Sequence, residues 1–520
     1  MPPTNTPLEI DMESAIRAAL SKNDAVQALE LANQAITAQP KNDVFYFLAA
    51  FAHAALEQIP QALERQQQAI ALSPLNVAYH FNAGVYASMI PGNDATLRSM
   101  LHYRNALHID PNHADSLWNY GEHLRLEGHI ERAISCFEKL LAMNKPYDYI
   151  YNRLAACYEC LDDTAKTDEI YKVLLKNKND VIAEWSYATE QLRRENFKNG
   201  FEYYNKRFNC SWLNNAYHYP FPQPLLTGKI PAKKTILVHG EQGLGDEMMF
   251  ASTMNEFLAQ AKAVGSQVVI ACKAPLARLF HHSFPEAKAV LAHNYEQPAD
   301  LAGLQIDVQI PMGNLLARFR ASHADFEQNQ TPYFSVDNER IAYYNQQMEQ
   351  LGRQALDGKR RFRVGLMWGT VSAEAVSRFE LSASRRSIAL PLFAPLADLI
   401  DDVEFISLQN HERGAEAAQM PDLDMVDFSL DQMDFYDTAA IIKNLDLVIT
   451  VDTSVSHLAG GLGTKTWVPL IHHPDWRHGK SRTTSFWYHN TTYFRQQTKN
   501  DWREVIERIR VALAQAAQAG

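Results

Sequence analysis

Cysteine is scarce, with five in 520 residues. That excludes a disulfide framework, and the lack of two paired Cys-x-x-Cys motifs removes the usual zinc pattern. Proline and glycine are few as well, 23 and 22, which excludes a collagen-like or low-complexity chain. Positive charge is in deficit: 49 Lys and Arg stand against 60 Asp and Glu, a net −11. A broad nucleic-acid or anionic-membrane surface is therefore not expected, although a local basic cleft for a small anion stays open. No run of eighteen apolar residues occurs, and the start, Met1-Pro-Pro-Thr-Asn-Thr-Pro-Leu8, has no basic region followed by an apolar stretch. The expectation is a cytoplasmic protein without a membrane span, in a reducing compartment.

What is present is ample apolar material, 46% of residues against 21% charged. A chain of this length exceeds one core, so two or three domains are expected. The first 210 residues repeat. Pro40, Pro74, Pro111 and Pro146 are spaced 34, 37 and 35 apart, the period of a helix-turn-helix solenoid. After Pro111, Leu117, Gly121, Leu124, Gly128, Ala133 and Phe137 alternate large and small residues as a tetratricopeptide repeat does. Earlier frames place Ala49, Ala62 and Ala69, then Gly84, Tyr103 and Ala106; later ones place Leu154, Tyr158, Tyr171 and Leu174, then Trp185, Ala188 and Leu192. About six units result, and they resemble the tetratricopeptide family, whose arrays bind other proteins in a concave groove. Dimerisation or bracing of the next domain is the plainer alternative. Cys157 and Cys160 fall inside one helix with no second pair, so they read as small packing residues.

After residue 210 the pattern changes. Pro220, Pro222, Pro224 and Pro231 break the helical rhythm, and Thr235–His239 reads as a buried strand. It runs into Gly240-Glu-Gln-Gly-Leu-Gly-Asp246 ahead of a helical stretch, Glu247–Ala261, so Gly243 and Gly245 sit at a strand-to-helix turn where backbone and helix terminus favour an anion. The glycine spacing is not that of a dinucleotide fingerprint or a Walker loop, and the next strand, Gln267–Lys273, ends in a cation. Asp246 then stands at the carboxyl edge of a parallel sheet, unless it merely caps its helix. Further strands at 363–369, 403–409, 445–451 and 466–471 alternate with helices. The polar stretch Asp357–Arg361 suits a linker, giving expected domains 1–210, 211–358 and 359–520.

The strand 445–451 delivers Asp452, Thr453 and Ser454 into a helix carrying His457. Hydroxyls and unpaired amides there suit a diphosphate, and His457 could donate to a phosphate or ribose oxygen; helix capping is the alternative. Trp368 and Gln409, at strand ends, are equally placed to contact a base or sugar or to pack. The Asp422-Leu-Asp424 string has no supporting features and receives no metal role.

Gly240–Asp246, Trp368-Gly369, Arg386-Ser-Ile388, Ser407-Leu-Gln409, Asp452–Ala459 and Pro474-Asp-Trp-Arg477, in this order, resemble the heptosyltransferase-like glycosyltransferases, family 9, in the branch where that region follows tetratricopeptide repeats. The resemblance spans about residues 197–513. It implies a GT-B architecture of two Rossmann-like domains, acceptor on the first and sugar nucleotide on the second. It also implies inverting transfer without an essential metal and with no cofactor beyond the nucleotide-sugar substrate. By that resemblance Asp246 matches the general base; Thr453, Ser454 and His457 match the diphosphate turn, with Arg386 near the cation facing the phosphates. Asp452, Trp368 and Gln409 fall about the donor pocket. Ser454 stands where the family usually has glycine. The Pro474–Arg477 loop and Phe486-Trp-Tyr488 would close over the donor or pack between domains, and the amphipathic segment Asp501–Ala517 would cross back to the first domain. Two functions are expected to compete: a transferase acting on a protein recruited by the repeats, flagellin or another surface protein among them, and a noncatalytic scaffold sensing a nucleotide sugar.

Overall fold

A computed structural model describes residues 7–91, 94–145, 147, 149–177, 180–209, 221–294, 299–328, 332–352, 360–370, 386–409, 411–429 and 431–519. The chain divides into two compact units, Met1–Asn177 and Lys178–Gly520.

The first unit is a run of tetratricopeptide-type helical repeats. Its helix pairs are Pro7–Ser21 with Ala25–Ala38, Asp43–Ala55 with Ile59–Leu72, Val77–Met89 with Ala95–Ile109, Ala114–Glu127 with Ile130–Ala142, and Ile150–Cys160 with Thr164–Leu174. The proline period has a local cause. Pro40 and Pro74 each stand two residues before an asparagine, Asn42 and Asn76, whose side chain accepts from the amide of Val44 or Ala78 at 3.1 Å. One helix thus ends and the next is capped within three residues. After Pro111 the cap is His113, whose Nδ1 accepts from the Ser116 amide at 3.2 Å. Pro146 lies outside the described residues. The small positions work as expected: a β-carbon on Gly84 would lie 2.6 Å from the Tyr103 ring, and one on Gly121 2.8 Å from Phe137. Cys157 and Cys160 share the helix Ile150–Cys160, Cys157 buried and Cys160 half-buried.

The second unit opens with a sixth helix pair, Val181–Arg193 and Phe197–Tyr204. Ala188, Leu192, Phe197, Phe201 and Tyr204 enter the same apolar core as Met248, Met249 and Phe250. By packing, this pair goes with the sheets and not with the other five. The boundaries expected at 210/211 and 358/359 lie outside the described residues.

Two parallel sheets follow. The first contains β1 (Thr235–His239), β2 (Gln267–Lys273), β3 (Ala289–His293) and β4 (Val308–Pro311), in the order β3-β2-β1-β4. The second contains β5 (Phe362–Met367), β6 (Val403–Ser407), β7 (Val426–Asp427), β8 (Leu447–Thr450), β9 (Thr466–Leu470) and β10 (Thr491–Arg495), in the order β10-β9-β8-β5-β6-β7. Read from β7, the second sheet has its strands in the sequence third, second, first, fourth, fifth, sixth, the order of a doubly wound sheet. Strand order reverses between β1 and β4 and between β5 and β8. Crevices beyond the carboxyl ends of the strands open at such reversals. The glycine loop leaves β1, and the Asp452–His457 turn leaves β8, so each motif lies at its sheet's reversal point.

Two expectations change. The helix drawn over Glu247–Ala261 is broken into Leu244–Phe250, a 3₁₀ turn at Ala251–Thr253 and Met254–Ala263. The terminal helix, Trp502–Ala519, buries the expected face of Val505, Ile506, Ile509 and Leu513, but these pack with Phe393, Leu396 and Trp467 over the second sheet. It does not cross to the first, because its apolar stripe is consumed where it stands.

Candidate functional site

The glycine loop is built by close approach. A β-carbon on Gly240 would lie 2.3 Å from Glu247 Cδ, so only glycine admits the Glu247 carboxylate beneath the loop. That carboxylate is fully buried, paired with Lys273 Nζ and accepting the Lys273 amide at 2.9 Å. Burial pushes Glu247 up to about 7 against the pull of Lys273. The next loop residue, Glu241, is 1% exposed; it pairs with Arg207 Nε at 2.7 Å and accepts the Gly313 amide at 2.9 Å. One buried ion pair therefore ties the β1 loop to the β4 loop and to the sixth helix pair. Gln242, at φ 59°, turns the loop and donates to the Tyr204 hydroxyl at 2.8 Å.

Asp246 does cap its helix: Oδ2 accepts the Gly243 amide at 2.9 Å. Its other oxygen pairs with Arg477, which also holds Asp475 at 2.6 Å. Capping and a cross-crevice contact thus coexist in one carboxylate. Gly245 faces the second sheet: its β-carbon would lie 3.0 Å from His457 Cδ2 and 3.3 Å from Ser454 Cα. The start of Leu244–Phe250 therefore meets the start of the helix Ser454–Gly461.

At that second helix, Thr453 occupies the N-cap without a side-chain cap bond. Its hydroxyl lies 3.2 Å from that of Thr450, and its carbonyl accepts the Ser456 amide and hydroxyl at 3.1 and 2.7 Å. The first amides of the helix, on Ser454 and Val455, precede any intrahelical partner. His457 is 6% exposed, and its Nδ1 lies 3.0 Å from the Tyr488 hydroxyl. Burial, reinforced by His478 and Arg477 and opposed by Asp452, pushes His457 down to about 4. At neutral pH the ring is uncharged.

Arg386 joins the turn, donating from Nη1 to the Asp452 carbonyl at 3.1 Å and to its carboxylate at 3.3 Å. Asp452 is 6% exposed, with His478 Nε2 at 3.0 Å. Burial opposes its ionisation, but His478 and Arg386 hold it well below the usual carboxylate range. Asp452 acts here as an internal anchor for Arg386 and His478.

The strand-end pair, Trp368 and Gln409, takes the packing alternative. Trp368 is fully buried in the second core, with Nε1 donating to Glu416 at 2.8 Å, and Gln409 is 4% exposed and accepts the Gly369 amide at 2.9 Å. The structure thus brings Asp246, Gly243, Gly245, Arg386, Asp452, Thr453, Ser454 and His457 together about the place where the two helix starts meet, and turns Trp368 and Gln409 inward. Sequence reasoning did not single out Arg477, His478 or Tyr488 one by one. Their signal was the density of charge and aromatic rings over 474–488. Among the described residues, no group of three or more His, Cys, Asp or Glu could hold a metal ion, and no helix is long and apolar enough to cross a membrane.

The chain thus joins tetratricopeptide-type repeats to a pair of parallel α/β sheets. No protein-family model matches it. Protein FlbA of Caulobacter vibrioides is 26% identical over an alignment of 353 residues that covers 64% of this chain and 55% of FlbA. The chain therefore spans about half the length of that relative. Among solved structures, the type IV pilus biogenesis factor PilW is 18% identical, at a TM-score of 0.32, covering 40% of this chain and 95% of its own. A tetratricopeptide repeat protein from Parabacteroides merdae is 13% identical, at a TM-score of 0.35, covering 49% and 93%. YrrB, a tetratricopeptide protein with an unusual peptide-binding site, is 16% identical, at a TM-score of 0.28, covering 32% and 87%.

Proposed function

We propose that residues 178–520 form a GT-B transferase that moves a sugar from a nucleotide-diphosphate donor to an acceptor hydroxyl, with inversion and without an essential metal. The observation that carries this reading is the meeting of Gly245 with Ser454 and His457, which sets the Asp246 carboxylate at the rim of an amide-lined helix start. In the reaction Asp246 takes the acceptor's hydroxyl proton as that oxygen bonds to the anomeric carbon, and the diphosphate leaves with the electron pair of the broken C–O bond. Charge grows on the leaving diphosphate, where the Ser454 and Val455 amides, the Thr453 hydroxyl and Arg386 supply donors. His457, uncharged, offers a neutral donor or acceptor to the donor substrate. The acceptor is a protein held by the repeats.

A second reading is favoured by one feature: Asp246 already holds two partners. In it the unit binds a nucleotide sugar without turnover and the repeats act as a scaffold. A panel of nucleotide sugars assayed with the full chain, with a co-expressed acceptor followed by mass shift, separates the two. Wild type is expected to turn over one donor, and Asp246→Asn to lose about 10²-fold or more in rate, 10² being the lower end of what a positioned general base supplies. Transfer surviving Asp246→Asn removes the base assignment, and binding without turnover of every donor establishes the scaffold.

A further inference from the structure

Arg477, on the loop after β9, is a cation that reaches from the second sheet to Asp246 of the first. Its guanidinium pairs with Asp246 on one side and with Asp475 at 2.6 Å on the other, and it lies over the Trp476 ring at 4.6 Å from the centroid. Its backbone is held at both ends: the Arg477 amide donates to Asp475 at 3.1 Å, and its carbonyl accepts from Trp487 Nε1 at 3.0 Å. The Asp475 and Trp476 contacts hold the guanidinium by Nη1 and by its face while Nη2 reaches Asp246. A carboxylate that caps its own helix and carries a guanidinium has one lone pair of each oxygen already engaged, which leaves two of four for an acceptor hydroxyl. A diphosphate at the start of Ser454–Gly461 would bring more negative charge than the one carboxylate it competes with, next to the same residues that Gly245 touches.

We propose that Arg477 is a two-position arm: it neutralises Asp246 in the ligand-free protein and turns to the phosphate oxygens when a nucleoside diphosphate group occupies the Ser454–Gly461 helix start, which frees Asp246 and places a cation on the leaving group. The proposal rests on the glycosyl-transfer reading above. It makes donor binding the event that arms the base, so that Asp246 and the donor diphosphate compete for one guanidinium. Asp475 remains bound throughout and sets the pivot.

The competition gives the test. Binding of UDP, GDP, CDP, ADP and dTDP to the full chain is measured by titration calorimetry for wild type, Asp246→Asn, Arg477→Gln and Arg477→Lys. The kcat and KM for the matching sugar nucleotide are measured alongside. Asp246→Asn keeps a capping oxygen but removes the competing charge, so it is expected to bind the preferred diphosphate about threefold or more tighter than wild type while losing turnover. Arg477→Gln is expected to lose about 10²-fold or more in kcat, the scale for removing one donor to developing charge, and to bind the diphosphate more weakly. Arg477→Lys should recover binding more than kcat, because an ammonium keeps the charge without the planar fork. If Arg477→Gln is unfolded by circular dichroism, the Asp246→Asn and Arg477→Lys arms decide. Diphosphate affinity unchanged or weaker in Asp246→Asn overturns the arm and leaves Arg477 a fixed strut. A wild type that binds no diphosphate overturns the transferase reading itself, a different outcome from either.

Discussion

A histidine one turn inside a helix is, by residue type, as ready to be a phosphate donor as a packed ring, and the surroundings of His457 decide its charge. Burial among His478 and Arg477 pushes it down to about 4, and His293, buried beside Lys273, is also pushed down to about 4. The unfolded chain protonates its histidines near 6.5, so between 6.5 and 4 it takes up protons that the native state refuses. Stability is whole above 6.5 and falls as pH drops through that window, by roughly 2 kcal/mol per histidine between pH 7 and 5. Urea unfolding at the two pH values checks this, and His457→Gln is expected to show a smaller difference between them than wild type. The placement of Asp246, Thr453 and His457 after a strand and at a helix start was legible in the sequence, because strand, turn and helix signals lie within a few residues of one another. Trp368 was not decided by type: an indole at a strand end fits a ligand or a core, and only the Glu416 partner and complete burial make it the latter.

Among elements, the decisive contact is that of two helix starts, and glycine permits it. With a β-carbon 3.0 Å from His457 and 3.3 Å from the Ser454 backbone, an alanine at Gly245 already needs a few tenths of an ångström of give, and a branched side chain presses the two helices apart. Gly245→Val is expected to destabilise the chain by about 1–3 kcal/mol, as overpacking does. It should also abolish donor binding, because the amides and Asp246 separate; thermal unfolding together with diphosphate titration measures both. The repeat starts were legible because a proline followed two residues later by a capping side chain is a purely local signal. β3, β4, β7 and β10 were not anticipated. Ala289–His293 is half exposed, Val308–Pro311 ends in proline, Val426–Asp427 is two residues long and Thr491–Arg495 opens on two threonines and ends on an arginine. Each lies at a sheet edge, where the hydrophobic run that marks a central parallel strand is short, as in Ala289–Ala292, or absent.

For the whole molecule, the sixth helix pair sets where the chain can be divided. Phe197, Phe201 and Tyr204 are buried against the first-sheet helices, and Arg207, 1% exposed, is the partner of buried Glu241. A fragment Lys178–Gly520 is expected to be soluble and to unfold cooperatively. A fragment starting at residue 211 leaves Glu241 charged and unpaired, a loss of about 3–5 kcal/mol, and uncovers that apolar face. It should aggregate, and size-exclusion chromatography with thermal unfolding distinguishes the two. The sequence by itself determined the repeat period, the parallel sheets and the two turn motifs, since each is written in residues within one helix or one strand-turn-helix of each other. Tertiary structure alone decided that Asp246 meets Arg477 from 231 positions away, that Glu241 meets Arg207, and that the terminal helix stays over its own sheet. The reason is physical: a capping or periodic signal lies within a few residues of backbone, whereas an ion pair across a crevice depends on how two separately formed sheets bury their remaining apolar faces.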